Sequence, residues 1–388
     1  MNPLRVLSIA TLFPDAARPN FGLFVEKSLR ALASEPGIEL TIAAPVGLPP
    51  FPLSLHRRYR ALRDLPGAEP WNGLTVLRPR FTLIPRYGAR FNPAQVARAV
   101  LPAVQDRPFD VVDAQFFYPD APAAMRVADA LGLPFSAKAR GADISHFGHD
   151  PATESQVIEA GAKAAGLLAV SEAMRGDMAA IGIDPARIAV HYTGIDKARF
   201  HPGDRAAARA ALGMDDVPAI LTVGALIARK GQALVIDALP ALPGVHYWLA
   251  GAGDEEARYR ALARAHGVEQ RVHFLGPVAN AELPELYRAT DAVVMPSVSE
   301  GLANAWVEAL ACGTPIVISD AGGAAELVTS PLAGRIVERT PPAIAEAVRA
   351  ILAAPPAPAD VAASLGGRFD WDRNGRELAD HLRRCAGR

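Results

Sequence analysis

Residues 292–320 read AVVMPSVSEGLANAWVEALACGTPIVISD, and the parsing of this stretch decides the fold. AVVMPS is an apolar run of strand length. SEGLAN is a turn built around Gly301, AWVEALACG a helical segment closed by Gly313, and PIVISD a second strand. Two strands joined through a helix lie parallel, with a right-handed crossover. The stretch also carries two carboxylates, Glu300 and Glu308, among small and apolar neighbours. Glu300 stands just before the helix, at the carboxyl end of a strand; Glu308 lies about two turns further in and shares a face with Asn304 and Cys312. Charges so placed meet either water or a ligand. In one reading Glu300 complements the helix dipole and Glu308 belongs to a solvated stripe. In the other, both contact a bound molecule, and spacing alone does not separate the two.

The same alternation extends in both directions. Upstream strand candidates are RVLSIATL, ELTIAAP, LTVLRPR, DVVDAQF, PFSAKAR and GLLAVS; further on come AILTVGA, HYWLAGA, VHFLG and, beyond the opening stretch, GRIVE. Helical segments such as GLFVEKSLRALAS, DEEARYRALARAHG and AELPELYRAT lie between them. Strand–helix alternation predicts an α/β protein of parallel sheets with helices on both faces. The pattern restarts near residue 219, after GIDKARFHPGDRAAARAALGMDDVP, which lacks a strand. The expected organisation is therefore two doubly wound, Rossmann-like domains in tandem, residues 1–200 and 201–369, with the boundary inside 198–215. The last helix, DRNGRELADHLRRC, follows proline-rich APPAPAD, and the segment 370–388 is expected to pack back on the first domain. Ligands of such sheets bind beyond the carboxyl ends of the strands, so a cleft between the two sheets is the expected site.

Bulk properties narrow the class. The chain has 388 residues, 50% hydrophobic and 21% charged, with a formal net charge of −1; this is a globular composition without the charge of a nucleic-acid binder. Cys312 and Cys385 are its two cysteines, too few for a disulfide framework or a thiolate zinc site. No run reaches the roughly 18 apolar residues that cross a bilayer, and LRVLSIATLF is followed by PDAARPNFG rather than a small-residue cleavage site. A cytoplasmic location is expected.

Several loops carry chemistry. AILTVGA runs into LIARKGQALVIDAL, which puts Arg229, Lys230 and Gly231 at a strand end where a helix begins; this is either a phosphate site or a surface turn with two exposed bases. In LAGAGDEE the glycines Gly251 and Gly253 precede three acids, so the glycines read as turn residues and the acids as caps. DAGGAAEL supplies Gly322 and Gly323, which either shape the floor of the cleft or, the preferred reading, form a structural turn. In the first domain Gly22 follows strand one, and Arg140, Gly141 and Asp143 follow another strand. Asp370 and Asp372 of FDWD have a metal-like spacing, but they precede the last helix, where acids stabilise the start. The nine histidines show no metal-binding spacing.

SEGLANAWVEALACGTPIVISDAGGAAELV resembles the signature of the retaining glycosyltransferases of family 4, two glutamates followed by an A-C-G-x-P turn. VGALIARKGQ, GPVANAELPELYRATDAVVMPS, HYTGIDKARFHP and FPDAARPNFGLFVEKSLRAL resemble further segments of that family, so the likeness spans most of the chain. It implies a GT-B architecture of two facing Rossmann-like domains, with a nucleotide-diphosphate sugar, UDP- or GDP-linked, held mainly by the second. Glu300 would then contact hydroxyls of the transferred sugar, and Gly301, Leu302 and Ala303 would line its pocket. Glu308 would take the ribose hydroxyls and Lys230 the diphosphate, with Gly224 in the donor loop and Gly22 letting the first-domain loop approach the donor. Three places depart from the family pattern, one being Tyr192-Thr193-Gly194 where Pro-Asn-Gly is usual near the hinge. Ala225 replaces the arginine that often follows the donor-loop glycine, which leaves Arg229 as the second positive charge. Arg140 stands where many members carry histidine before Gly-x-Asp, and Asp143 lies beside it on the acceptor side. The resemblance implies retention, no metal or other cofactor, and a glycan or lipid-linked acceptor in surface polysaccharide or glycoconjugate synthesis. A nucleotide-sugar epimerase and a non-catalytic sugar-nucleotide-binding subunit are the competing functions. HRRYRALR and RPRFTLIPRYGARF gather arginines with Tyr59, Phe81, Tyr87 and Phe91; such a surface fits a peripheral contact with anionic lipid or ordinary solvated loops.

Overall fold

The first apolar run becomes the middle of a sheet. Leu4–Ile9 lies between Val111–Ala114 and Ile38–Ala43 and is parallel to both. The structure, a computed structural model, describes residues 2–84 and 88–388, apart from the side chain of Arg58. In it the first sheet has eight strands. Their spatial order is Ile188–Val190, Gly166–Ala169, Phe135–Ala139, Val111–Ala114, Leu4–Ile9, Ile38–Ala43, Leu74–Leu77, Ala68–Trp71. Val111–Ala114 and Phe135–Ala139 are buried at every position, as strands covered by helices on both faces must be. Only Ala68–Trp71 runs antiparallel, returning through Asn72 and Gly73 at φ 47° and 82°, the paired positive φ of a type I′ hairpin turn. A second, two-stranded parallel pair joins Val46–Leu48 to Arg80–Thr82.

The second sheet has six strands, all parallel. Its order is Val272–Gly276, His246–Ala250, Ala219–Val223, Ala292–Met295, Ile316–Ser319, Gly334–Val337. The opening stretch folds as parsed: Ala292–Met295, helix Asn304–Ala311, then Ile316–Ser319 beside the first strand. Trp306, Val307, Ala309 and Leu310 bury that helix. Its end is a Schellman motif. Gly313, at φ 83°, donates to the Leu310 carbonyl and Thr314 to the Ala309 carbonyl.

The chain divides into two compact units, residues 1–194 with 371–388, and residues 195–370. The closing helix Trp371–Cys385 packs along Leu23–Ala33: Ser28 Oγ donates to Asn374 Oδ1 at 2.9 Å, and Leu378, Ala379 and Leu382 join the core of the first unit. Beneath it lies a line of buried polar groups. Lys138 Nζ is 2.7 Å from His191 Nδ1, His191 Nε2 donates to the Asn374 carbonyl at 2.9 Å, and His381 Nε2 meets Ser136 Oγ at 2.8 Å. Burial drives the pKa values of Lys138 and His191 well below their ordinary values and that of His381 down to about 4. Asp370, just ahead of the helix, pairs with Lys197 at 2.8 Å, and Asp372 lies in the first turn.

Candidate functional site

The site candidates of the second unit lie on loops that leave the carboxyl ends of its strands. After Ala219–Val223 the chain makes a short 3-10 turn, Ala228–Lys230, before helix Gln232–Ala238. After Ala292–Met295 it enters the loop that carries Glu300. The two loops are tied together: Val298 N–H donates to the Arg229 carbonyl at 2.8 Å, and the Arg229 guanidinium donates to the Ser299 carbonyl. This brings three charges into contact. Lys230 Nζ lies 2.6 Å from Glu300 Oε1 and Arg229 Nη1 lies 3.7 Å from the same oxygen. The Lys230 and Glu300 side chains are 14% and 9% exposed, whereas Arg229 is 43% exposed. Two cations against one carboxylate leave a positive excess at a partly desolvated strand end, where water screens it least.

Neighbouring backbone shapes this loop. A β-carbon on Gly322 would lie 2.1 Å from the Glu300 carbonyl oxygen, and Gly323 N–H donates to the Gly301 carbonyl at 2.7 Å. The DAGG segment therefore holds the Glu300–Gly301 backbone from below, which only a residue without a side chain permits. Gly224 donates to the Ala250 carbonyl at 2.9 Å, and Lys230 Cε passes 3.8 Å from its missing β-carbon position. Gln232, fully buried, donates to the Ala225 carbonyl at 2.9 Å and accepts from the Tyr259 hydroxyl at 3.2 Å. Gly251 and Gly253 serve the same loop by pressing their backbones on Gly224 and Leu226. Leu302 and Ala303 continue from Gly301 into the helix start, half-buried.

Glu308 is the fifth residue of its helix and half-buried, and its carboxylate accepts from the Tyr287 hydroxyl at 2.9 Å. Burial first, and then the adjacent Glu308 charge, push the Tyr287 phenol well above its ordinary pKa, so it stays a donor. Half-buried and hydrogen-bonded, Glu308 is not a freely solvated carboxylate.

In the first unit the strand ends gather buried charge. Arg140, directly after Phe135–Ala139, donates Nε to the Gln115 carbonyl at 2.6 Å and Nη2 to Gln115 Oε1 at 2.7 Å. Burial lowers its pKa to about 10, opposed by Asp143, Asp113 and Asp120, so it keeps its charge at neutral pH. Asp143 is fully buried and accepts from the backbone amides of Phe117, Arg140 and Gly141; its work in this structure is to fix the Arg140–Gly141 turn. Asp120 accepts from the Thr11 amide at 3.1 Å, and burial lifts its carboxyl to about 7. Gly22, at φ 68°, faces the Leu12 carbonyl carbon at 2.5 Å from its missing β-carbon, so the glycine is required by the loop's own backbone.

The first unit also contains a cavity of about 540 Å³, lined by described residues from separate stretches of chain: 11–21, 45–47, 81–84, 89–92, 116–119 and 146–150. Local sequence gives no sign of it, because each stretch contributes only a few side chains. Gln232 and Tyr287 also escaped the sequence reading, as polar residues inside apolar helices. Two further expectations are corrected. The acids of LAGAGDEE stand at the helix start, Glu255 at the N-cap position and Glu256 in the first turn, but make no side-chain cap bond: Glu255 pairs with Arg258 and Glu256 with Arg260, side-chain partners three and four residues on being within easier reach. The arginine–aromatic segments are partly folded inward. Arg78 is buried against Glu69 at 2.6 Å, Arg80 donates to the Leu62 and Leu65 carbonyls, and Phe81 lines the cavity. Tyr87 lies outside the described residues.

Residues 204–364 match the family model "Glycosyl transferases group 1", and residues 25–199 match "Glycosyltransferase Family 4". A D-inositol 3-phosphate glycosyltransferase of Mycolicibacterium gilvum is 37% identical over 214 residues, covering 51% of this chain and 48% of the relative. One from Mycobacterium tuberculosis is 41% identical over 162 residues, covering 40% of this chain and 34% of the relative. The chain thus spans half or less of the length of these curated relatives. Among solved structures, sucrose-phosphate synthase from Thermosynechococcus elongatus superposes with a TM-score of 0.81 at 19% identity, covering 98% of both chains. Anabaena HepE in complex with UDP-glucose superposes with a TM-score of 0.72 at 22% identity, covering 98% of this chain and 99% of that one. At such identities the likeness establishes the fold.

Proposed function

The chain belongs to the family 4 glycosyltransferases of GT-B fold, and on that premise we propose that it moves a sugar from a UDP- or GDP-linked donor to an acceptor hydroxyl, with retention of anomeric configuration and without a metal ion. The observation that carries this reading is the contact of Lys230 and Arg229 with Glu300. Without ligand the three charges satisfy one another. An arriving diphosphate competes for the two cations, and the Glu300 carboxylate, released from Lys230, accepts hydrogen bonds from hydroxyls of the transferred sugar. Gly301, Leu302 and Ala303 line the sugar's path, with Gly224 opposite Lys230. Glu308, held by Tyr287, takes the ribose hydroxyls.

Transfer breaks the bond from the anomeric carbon to the diphosphate oxygen and forms one to the acceptor oxygen on the same face. The acceptor's proton passes to the departing phosphate oxygen. Negative charge grows on the leaving group, so the main requirement is fixed positive charge aimed at it. Lys230 and Arg229 supply that charge from the protein itself. Arg140 adds fixed charge at the carboxyl edge of the first sheet, with Asp143 positioning it. Glu300 is not the nucleophile in this reading.

The HepE complex with UDP-glucose makes that compound the first donor to try. Incubation with UDP- and GDP-sugars and a panel of glycosides, followed by NMR of the products, tests the proposal: a glycoside with the donor's anomeric configuration is expected. An isomerised sugar without any glycoside would mark an epimerase. Binding without turnover would mark a non-catalytic subunit, and an inverted product would remove the retaining mechanism.

A further inference from the structure

Two histidines that stand 27 positions apart in the chain meet on the second sheet. Tyr247 pairs with Val272 and Trp248 with His273 across the neighbouring strands His246–Ala250 and Val272–Gly276. That register puts His246, Trp248 and His273 on one face. His246 Nδ1 lies 2.9 Å from His273 Nε2. The Trp248 ring lies 4.1 Å from the His273 ring and 19° from parallel to it, which holds the imidazole in its plane. Sequence spacing could not show such a pair, because strand register alone creates it.

Val272–Gly276 is an edge strand and both imidazoles are only half-buried, so an ion can reach them from solvent. Both histidines line a cavity of about 210 Å³, together with Asp215, Met214 and Trp248. Two imidazoles in hydrogen-bond contact cannot both be protonated, since each would then donate to the other. At least one therefore offers a lone pair, and in the free chain the other ring's N–H fills it.

The spacing selects among ions. Metal–imidazole bonds run about 2.0–2.1 Å. At that length nitrogens 2.9 Å apart subtend about 90° at the ion, the angle between neighbouring positions of a square-planar or octahedral complex. A tetrahedral ion would hold them about 3.3 Å apart.

The geometry points to a binding site for a divalent transition-metal ion, Ni²⁺ or Cu²⁺, held by His246 Nδ1 and His273 Nε2 in adjacent coordination positions. Among the described residues no group of three His, Cys, Asp or Glu is placed to hold a metal, so water fills the remaining positions, and Asp215 offsets part of the charge from the cavity lining. Ligation uses both lone pairs: the donating ring moves the shared proton to its other nitrogen, and the pair's proton count is unchanged. Imidazole nitrogen suits these ions and does not suit Mg²⁺ or Ca²⁺. The site is separate from the proposed transfer. His246 opens its strand and Asp215 precedes Ala219–Val223, whereas Lys230 and Glu300 follow the carboxyl ends of their strands. The inference therefore stands or falls independently of the donor reading.

The test is calorimetric titration of the untagged full chain, stripped of metal and chelator, with NiCl₂ and with MgCl₂, beside electron paramagnetic resonance of the chain loaded with one equivalent of Cu²⁺. One Ni²⁺ should bind per chain, with no saturable heat from Mg²⁺. His246→Gln and His273→Gln should each weaken Ni²⁺ at least ten-fold. His266→Gln, which removes a histidine paired with Asp237, should leave the affinity unchanged. The Cu²⁺ spectrum should show coupling to two imidazole nitrogens, a readout that needs no variant and holds even where one fails to fold. Three results each overturn the inference: no saturable Ni²⁺ binding; parental affinity in both variants or equal loss in His266→Gln (an adventitious ion only); or a Cu²⁺ spectrum without two nitrogen ligands.

Discussion

Replacing Lys230 with alanine probes the reasoning most directly. In the free protein Lys230 neutralises a Glu300 side chain that is only 9% exposed, with Arg229 more distant at 3.7 Å. In the proposed complex the same ammonium faces the diphosphate. A hydrogen bond to a charged group is worth about 1.5–3 kcal/mol, or roughly 10- to 150-fold in rate. The substitution also leaves the Glu300 carboxylate less neutralised, so an arriving diphosphate meets like charge as well as a lost partner. The expected result is a loss of at least ten-fold in kcat/KM. The fall should lie more in kcat than in KM, because charge on the leaving group is greatest in the transition state. The double variant Lys230→Ala with Glu300→Gln separates the two contributions: it should recover donor affinity relative to Lys230→Ala, while remaining slow because the sugar loses its carboxylate. Initial rates of nucleoside diphosphate release, matched to glycoside formation, measure both, and thermal melts show whether the fold survives. Turnover of Lys230→Ala within two- or three-fold of the parent would refute the leaving-group role.

Four further outcomes are expected. Glu308→Ala should raise the donor KM about ten-fold with little change in kcat, and Tyr287→Phe should do so more weakly, because the Tyr287 bond only orients Glu308; unchanged donor affinity in both would remove the ribose role. Turnover should persist in EDTA, and activity that disappears there and returns with added Mg²⁺ or Mn²⁺ would show that the cations at Lys230 and Arg229 do not suffice. Phe51, Leu53 and Leu55 are 79%, 56% and 58% exposed beside helix Arg57–Arg63, so the protein should float with anionic vesicles but not zwitterionic ones; flotation unaffected by Phe51→Ser with Leu55→Ser would assign the patch another role. His381 is held neutral, its pKa down at about 4 against 6.5 unfolded, so below pH 6.5 the unfolded chain takes up a proton that the folded one refuses, and stability falls by about 2 kcal/mol by pH 5. The raised carboxyls of Asp113, Asp120 and Asp143 act with the opposite sign, so the check is a smaller drop in Tm between pH 7.5 and pH 5 for His381→Gln than for the parent.

What the sequence disclosed follows from how locally each feature is encoded. The strand–loop–helix around Glu300 is contiguous, its helix ends on Gly313, and all twelve strand candidates named from apolar runs appear in the two sheets. The strands that went unseen, Val46–Leu48, Ala68–Trp71, Arg80–Thr82 and Ile188–Val190, have three or four residues and lie at sheet edges or in the small pair, where no apolar run is needed. Contacts across sequence were beyond reach. Nothing in VGALIARKGQ says that Lys230 touches a residue 70 positions away, and nothing in AELPELYRAT distinguishes Tyr287 from an ordinary core ring. The arginines of RPRF looked like surface charge because arginine usually is; Arg78 is buried because Glu69, the Pro14 carbonyl and the rings of Phe13 and Trp71 converge on it.

This difference in encoding bears on how far kinship reaches. The loops proposed to hold the donor are compact motifs, a glycine and a lysine after Ala219–Val223 and two glutamates after Ala292–Met295, so the chemistry proposed for them goes with the family match over residues 204–364. The cavity of the first unit is assembled from several separate stretches of chain, and single changes at Phe116, Ile84 or Asn92 alter its lining without disturbing a strand. A family match over residues 25–199 therefore constrains the scaffold far more than the occupant. A relative that aligns with about half of this chain can share the transfer chemistry and still differ in acceptor.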